Sequence, residues 1–204
     1  VARAAVLGRL TWRVGTLVSF RDETAVARTL VFQIPDWPGH LAGQHVDVRL
    51  TAPDGYSTQR SYSIASAVDG DLVELTIERL PDGEVSPYLS QVLSVGGQIE
   101  LRGPIGGWFV WDPDAGSPVL MIGGGSGLVP LMAMVRTRQR LGSATPFRLL
   151  YSVRDPAAVL YGSELDALRS ADPMLEVQYA FTRQAPPDFG RPPGRIDAVF
   201  LAQF

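Results

Sequence analysis

"SPVLMIGGGSGLVPLMAMVRTRQRLG", residues 117–142, decides the class of the second half of the chain. Its opening is apolar, as in a strand buried on both faces. Gly123, Gly124, Gly125, Ser126 and Gly127 then break the run. An amphipathic helix follows, with Pro130 in its first turn, where a missing N–H costs little. Glycines let a backbone bend sharply and approach a ligand with no Cβ in the way. The free N–H groups at a helix start attract phosphate. The spacing is neither GxGxxG nor a Walker loop, since no Lys follows. Two readings stay open from these residues: a tight strand-to-helix turn, or a phosphate cradle. The basic end of the helix, "RTRQR" (Arg136 to Arg140), reads as a solvated last turn where cations suit the dipole. Contact with an acidic electron-transfer partner is the alternative.

Downstream, "FRLLYSVRD" reads as a strand, "YGSELDALRSA" as a helix and "LEVQYAFTR" as a strand. That alternation predicts a parallel sheet with covering helices. Upstream of "WDPDAGSP" (residues 111–118) the pattern changes. "RVGTLVSF", "ARTLVFQI", "QHVDVRL", "RSYSIAS", "LVELTIERL" and "QIELRG" are six short runs of alternating or β-branched residues. Gly/Pro/Asp clusters separate them, which predicts a small barrel or sandwich. One stretch differs. "SPYLSQVL" has helical spacing, with Ser86 as a candidate N-cap and Pro87 suited to the first helical position.

The 204 residues suffice for one large domain or two small ones, and a hydrophobic share of 46% supplies a core. A net charge of −3 argues against general nucleic-acid affinity. With no apolar run long enough for a bilayer and no signal-peptide pattern, the expected place is the cytoplasm. The first residue is Val1, so the natural start is expected upstream. Zero Cys excludes disulfides and cysteine-ligated zinc or iron–sulfur clusters within these residues. His40 and His45 are too few for a His-rich metal site, and no metal is expected. All 18 basic residues are Arg, so a single Arg is weak evidence that a guanidinium was needed.

"TQRSYSIAS", Thr58 to Ser66, crowds an arginine, a tyrosine and serines into one strand. Arg60 and Tyr62 share a face. An Arg can neutralise a diphosphate, and a Tyr ring can stack on a flat ligand. Alone, the stretch also reads as a surface strand with one aromatic. In combination it says more. "RSYS", "ERLPDGEVSPYL", "GPIGGWF" and "GGGSGLVP", in that order, resemble the ferredoxin–NADP⁺ reductase superfamily from about Trp12 to Arg195.

The resemblance implies a β + α/β chain: an antiparallel six-stranded Greek-key FAD barrel over residues 1–112, then a Rossmann-like parallel-sheet nucleotide domain over 113–204. By that likeness Arg60 holds the FAD pyrophosphate, Tyr62 packs on the flavin, and Ser63 hydrogen-bonds near the flavin N5. Tyr62 and Ser63 are thus the residues nearest the chemistry. Ile77 and Arg79 line the ribityl and pyrophosphate side, mainly through backbone. Gly83, Val85 and Ser86 place a helix start against the diphosphate. Trp108 or Phe109 belongs to a turn into the second domain. Gly123 to Gly127 receive the pyrophosphate of NADPH or NADH. Thr182 and Arg183, with Arg154 as a second candidate, contact the adenosine 2′-phosphate and favour NADPH, although each Arg also reads as a solvated loop residue.

The family continues past "GRI" with a strand, a Cys-Gly-Pro-type loop, a helix and a terminal segment, so the nucleotide domain is expected to be C-terminally incomplete. The implied activity is hydride transfer from NAD(P)H to FAD, then single electrons to an external acceptor. A ferredoxin, a flavodoxin, or a fused or separate oxygenase component would serve. The alternative is a flavin-binding electron-transfer or regulatory subunit with no NAD(P)H activity of its own.

Overall fold

The computed structural model describes residues 10–203. Residues 1–9 and Phe204, which the domain expectation includes, lie outside the described residues.

The six runs of the first half form β1 (Arg13–Thr24), β2 (Ala27–Gln33), β3 (His45–Thr51), β4 (Ser57–Ser63), β5 (Leu72–Glu78) and β6 (Gln98–Ile105). They pair antiparallel in the order β4-β3-β6-β1-β2-β5. Alternation fills the interior: Leu17, Leu30, Phe32, Val46, Val48, Val73, Leu75, Ile77, Ile99 and Leu101 form one apolar cluster. The outer strands meet at an isolated bridge, Ile64↔Leu75, and through Ala65 N donating to Glu74 O at 2.8 Å. β1 outruns its expected span and passes two register shifts, which let a strand bend around a barrel.

The helical stretch is α1 (Val85–Pro87), which runs on into a wider π-helical turn (Tyr88–Val92). Val85, Leu89 and Leu93 plug the barrel. The side chain expected to cap it does not. Residue 84 holds the N-cap position, and Ser86 lies inside the helix, accepting a hydrogen bond from Leu80 N at 3.1 Å. Ser86 therefore fastens the preceding loop rather than the helix end.

The second half has β7 (Val119–Gly124), β8 (Phe147–Val153) and β9 (Leu175–Phe181), parallel and in that order. α2 (Leu128–Arg140) and α3 (Gly162–Ala171) cover one face. α4 (Ala198–Gln203) brings Phe200 onto Leu150 and Ala180 on the other. Leu120 and Ile122 of β7 stay exposed. Ala27, Ala42 and Ala65 of the barrel belong to the same apolar cluster as α2, so small residues let the two halves meet closely. Among the described residues no helix is long and apolar enough to cross a membrane.

One buried polar contact anchors the loop between β2 and β3. Trp37 Nε1 donates to His40 Nδ1 at 3.1 Å, so His40 Nε2 carries the proton and donates to Ser66 O at 2.9 Å. Burial pushes the His40 pKa below the ordinary value, against a smaller opposing effect of the Ser66 bond. The unfolded chain therefore takes up the proton first. The stability His40 contributes is whole above about pH 6.5 and is lost as pH falls from there through the lowered pKa of the folded state. Melting temperatures at about pH 7.5 and about pH 5.5 should differ less in His40→Leu than in the parent protein, at some loss of stability at the higher pH. An equal pH response in both would show that His40 does not titrate with unfolding.

Candidate functional site

Strands β4 and β5 pair only at the Ile64↔Leu75 bridge. Beyond it a seam opens. Continued, the register would set Tyr62 opposite Ile77 and Arg60 opposite Arg79. Tyr62 and Arg60 lie across from the buried Val46 and Val48 on β3, so both belong to the interior-facing side of β4. Tyr62 packs on the barrel core, and burial pushes its hydroxyl up to about 12, so it stays neutral. Ile77 is fully buried in that core.

The two arginines of the seam are uncommitted. The Arg60 side chain donates to its neighbour's carbonyl, Gln59 O, at 2.7 Å and meets no carboxylate among the described residues. Arg79 spends its backbone N–H on Val26 O at 2.7 Å, and its guanidinium has no described partner. Two guanidinium groups that meet no carboxylate among the described residues, flanking one seam, suit a diphosphate. Ser63 lies on the other face of β4, in register with His45, alongside Ser61, whose hydroxyl donates to Asp47 at 2.6 Å. At the far end of the seam Gly83 N donates to Leu80 O at 3.0 Å. A Cβ on Gly83 would sit 3.0 Å from Ser86 Oγ and 3.2 Å from Leu80 O, so this glycine serves close packing before α1. Val85 is buried in the core.

A cavity of about 720 Å³ opens at the same end of the barrel, lined by Tyr56, Thr58, Glu84 and Tyr88 among others. The Tyr56 hydroxyl donates to Glu84 at 3.1 Å. Thr58, Glu84 and Tyr88 fall inside the quoted motifs "TQRSYSIAS" and "ERLPDGEVSPYL" but were given no role there, and Tyr56 lies outside any motif. Their neighbours, Arg60 on β4 and Val85 on α1, could have pointed to them.

A second cavity, of about 490 Å³, lies at the carboxyl ends of β7 and β8, where open α/β sheets bind their ligands. Gly124, Gly125, Ser126, Arg154 and Thr182 line it. The barrel supplies the opposite wall: Thr24 to Ala27 from the β1–β2 turn, and Glu78 from β5. The glycines divide their work. Gly123 is needed for packing, since a Cβ there would come within 2.9 Å of Leu131 Cδ1. Gly125 takes a φ of 52°, which L side chains disfavour. Around Gly125 and Gly127 a Cβ would meet nothing within 4 Å, so that stretch of backbone is open to a ligand.

Thr182 N and Arg183 N donate to Val153 O and Arg154 O at 2.8 and 2.9 Å, which brings the ends of β8 and β9 together. The Arg183 guanidinium has no partner among the described residues. Arg154 stands 3.8 Å from Glu78. Glu78 and Asp155 are the two carboxylates of this cavity, and neither was singled out in the sequence. Asp155 is committed to Ala158 N at 3.1 Å.

Two other motifs resolve differently. In "GPIGGWF", Trp108 and Phe109 are exposed, and the chain then turns inward at Trp111. Trp111 N donates to Ala42 O, and its ring meets Phe147 edge-on at 5.0 Å in the second half. "RTRQR" is a solvated helix end only at Gln139 and Arg140, which are exposed. Arg136 and Arg138 are buried or nearly so, Arg138 paired with Asp172 and donating to Thr145 O. Arg140 binds Asp69 of the barrel at 2.9 Å. All three arginines are committed within the chain, so contact with an acidic partner through them is dropped. Among the described residues no three His, Cys, Asp or Glu side chains could hold a metal ion.

Two family models match this geometry in order: an oxidoreductase FAD-binding domain over residues 15–110 and an oxidoreductase NAD-binding domain over residues 121–204. Methane monooxygenase component C of Methylosinus trichosporium is 33% identical over 180 residues, 88% of this chain and 50% of that protein. Ferredoxin--NADP reductase B of Sorangium cellulosum is 34% identical over 178 residues, 86% of this chain and 72% of that protein. Among solved structures, the FAD/NAD binding domain of nitric oxide dioxygenase from Vibrio cholerae matches with a TM-score of 0.81 at 22% identity, covering 91% of this chain and 80% of that one. Amycolatopsis cytochrome P450 reductase GcoB matches with a TM-score of 0.81 at 25% identity, covering 98% and 61%. The chain belongs to the ferredoxin–NADP⁺ reductase superfamily. It spans half the length of the first of these relatives. FAD and a nicotinamide nucleotide are the cofactors of its two domains, and the uncommitted arginines and the open glycine backbone fit them.

Arg60→Ala should weaken FAD retention by about tenfold or more, the cost of one charge-assisted contact at roughly 1.5–3 kcal/mol. Flavin released on gel filtration measures it. Equal retention would remove Arg60 from the diphosphate site.

Proposed function

We propose that the chain is the reductase part of an electron-transfer system, passing electrons from NAD(P)H through FAD to an external acceptor. The observation that carries this reading is the shared strand. Ile77 and Arg79 of "TIERL" bound the seam, while Glu78 between them lines the nucleotide cavity. The two sites thus adjoin across one strand end, as hydride transfer requires.

Bound FAD supplies the chemistry: it accepts a hydride from NAD(P)H and releases the two electrons one at a time. The chain binds and orients. Arg60 and Arg79 neutralise the FAD diphosphate, with Gly83, Val85 and Ser86 supplying the turn beside it. Tyr62 stacks on the ring, and Ser63, whose side chain lies on the other face of β4, offers its backbone N–H at the ring's edge. The cavity lined by Tyr56, Thr58 and Tyr88 takes the adenosine end. Backbone N–H groups of Gly124 to Gly127 receive the nicotinamide nucleotide's diphosphate. Thr182 and Arg183 contact a 2′-phosphate, which favours NADPH. Arg154 joins them when it leaves Glu78. No general acid or base is required.

The relatives are a methane monooxygenase component and a ferredoxin reductase. By that likeness the acceptor is a ferredoxin, a flavodoxin or an oxygenase component. Such a reductase draws on the cytoplasmic nicotinamide pool, and we place it there.

Anaerobic NADPH should bleach the flavin absorption of the purified protein. Bands that persist with both NADPH and NADH would identify a flavin-binding subunit without hydride chemistry. Arg183→Ala should raise the KM for NADPH by about tenfold, a 2′-phosphate contact of about 1.4 kcal/mol, and leave that for NADH nearly unchanged. Equal effects on both would remove the 2′-phosphate role.

A further inference from the structure

We propose that Arg136 is a positioning residue that fixes the nucleotide half against the flavin strand. The inference rests on the reductase reading above and deepens it. Arg136 projects from α2, the helix that opens at the glycine loop, and it reaches three other segments. Its Nε and Nη2 donate to the two oxygens of Glu164 on α3 at 2.7 and 2.6 Å. Its Nη1 donates to Ala65 O at 2.8 Å and to Glu74 Oε2 on β5 at 3.0 Å. Ala65 is two residues past Ser63, at the end of the flavin strand.

Four guanidinium contacts on one side chain that is 11% exposed make a directional clamp, which an ammonium cannot reproduce. Glu164 holds the guanidinium in a bidentate fork, and the remaining nitrogen reaches the barrel. Arg21 of β1 shares the same Glu74 oxygen at 2.7 Å, so that carboxylate is balanced from both halves.

The clamp belongs to a strip. The outward residues of β5 are Glu74, Thr76 and Glu78, and each meets the second half. Glu74 takes Arg136, the Thr76 hydroxyl bonds the Tyr161 hydroxyl, and Glu78 faces Arg154. Thr76 also bonds Thr29 at 2.7 Å. Tyr161 holds a φ of 54°, an unfavourable conformation for a bulky residue. Glu23 Oε2 accepts from its N–H at 3.3 Å, and Arg136 lies over its ring at 4.9 Å. Of these three contacts only Arg136 also bonds the end of the flavin strand itself. Hydride transfer is sensitive to displacements of about 1 Å. Arg136 therefore sets the distance between the two cofactor sites without touching either cofactor.

Three readouts on Arg136→Ala test this. By calorimetry without nucleotide, the parent protein should unfold in one transition, and the variant should split into two as the halves uncouple. With FAD bound and its spectrum unchanged, the rate of bleaching by NADPH should fall at least tenfold, with KM for NADPH within about threefold of the parent. Oxidation of the dithionite-reduced flavin by ferricyanide, which needs no nucleotide half, should be unchanged. If Arg136→Ala does not fold, Glu164→Gln removes only the charge that steers the guanidinium. It should show the same pattern at smaller size, and Arg136→Lys should not restore the rate. A single transition together with parent-like bleaching in a folded variant overturns the proposal. So does a loss of FAD or of ferricyanide reactivity parallel to the loss of bleaching, which would mark a merely structural role. If the parent itself is bleached by neither NADPH nor NADH, the reductase reading fails, and the calorimetric split alone then decides whether Arg136 couples the halves.

Discussion

Strands β4 and β5 touch at one place. The Ile64↔Leu75 bridge and the Ala65 N to Glu74 O bond close the barrel there, and nothing pairs the strands further along. A closed barrel would have satisfied every edge. This one leaves a seam whose interior-facing residues are Tyr62, Ile77, Arg60 and Arg79. The open edge needs compensation, and α1 supplies part of it by inserting Val85, Leu89 and Leu93 into the barrel end. What remains uncovered is a groove with an aromatic ring at one end and two guanidinium groups further down. A flat ring joined to a diphosphate has that same order of parts.

The point of closure also governs where the second half sits. β5 emerges from the bridge with its apolar residues, Val73, Leu75 and Ile77, in the core. Its polar residues, Glu74, Thr76 and Glu78, are not left to water. They become the docking strip for α2, Tyr161 and the end of β8. One short strand thus carries the barrel core on one face and the contact between halves on the other. The nucleotide cavity follows from this arrangement, because its far wall is the barrel: Glu78 and the β1–β2 turn.

Much of this was legible in the sequence, and the limits have a physical cause. Alternating or β-branched runs located the six barrel strands; β4 begins earlier than its run, since it spans Ser57–Ser63 rather than starting at Arg60, and it has no buried residue. The glycine loop between an apolar strand and an amphipathic helix located the nucleotide end. Alternation reports which face of a strand is polar, however, and not what covers that face. "LVELTIERL" therefore reads as a strand and shows nothing of what its polar face meets. "RTRQR" looked like a wet helix end for the same reason, since Arg136 and Glu74 are 62 positions apart and no local pattern links them. Ser86 misled through a local rule. A serine before a helical pattern is a good N-cap, but here the helix begins two residues earlier than expected, at Val85, and the hydroxyl holds Leu80 N. The cavity near Tyr56 was not legible, although Thr58, Glu84 and Tyr88 lie in quoted motifs, because it is assembled from a hairpin loop, a strand start and a helix.

The absence of lysine weakened every arginine as a clue, since Arg had to serve wherever a cation was wanted. Pairing restores part of the information. An arginine is always charged, and this chain offers 21 carboxylates to its 18 cations. Most of the described arginines have found one: Arg21, Arg28, Arg49, Arg102, Arg136, Arg138, Arg140, Arg148, Arg154, Arg169 and Arg191 all lie within ion-pair distance of Asp or Glu. Arg60, Arg79 and Arg183 have not, nor have Arg13 and Arg195. In a chain with surplus acid, a cation left without a carboxylate is better placed to meet an anion from outside. Two of these flank the seam between β4 and β5, and a third follows β9, next to Thr182 of the nucleotide cavity. Of the spent guanidinium groups, those of Arg136, Arg140 and Arg154 join the two halves and the others pair within one half; of those without a carboxylate, Arg60, Arg79 and Arg183 stand beside the places proposed for a dinucleotide's phosphates.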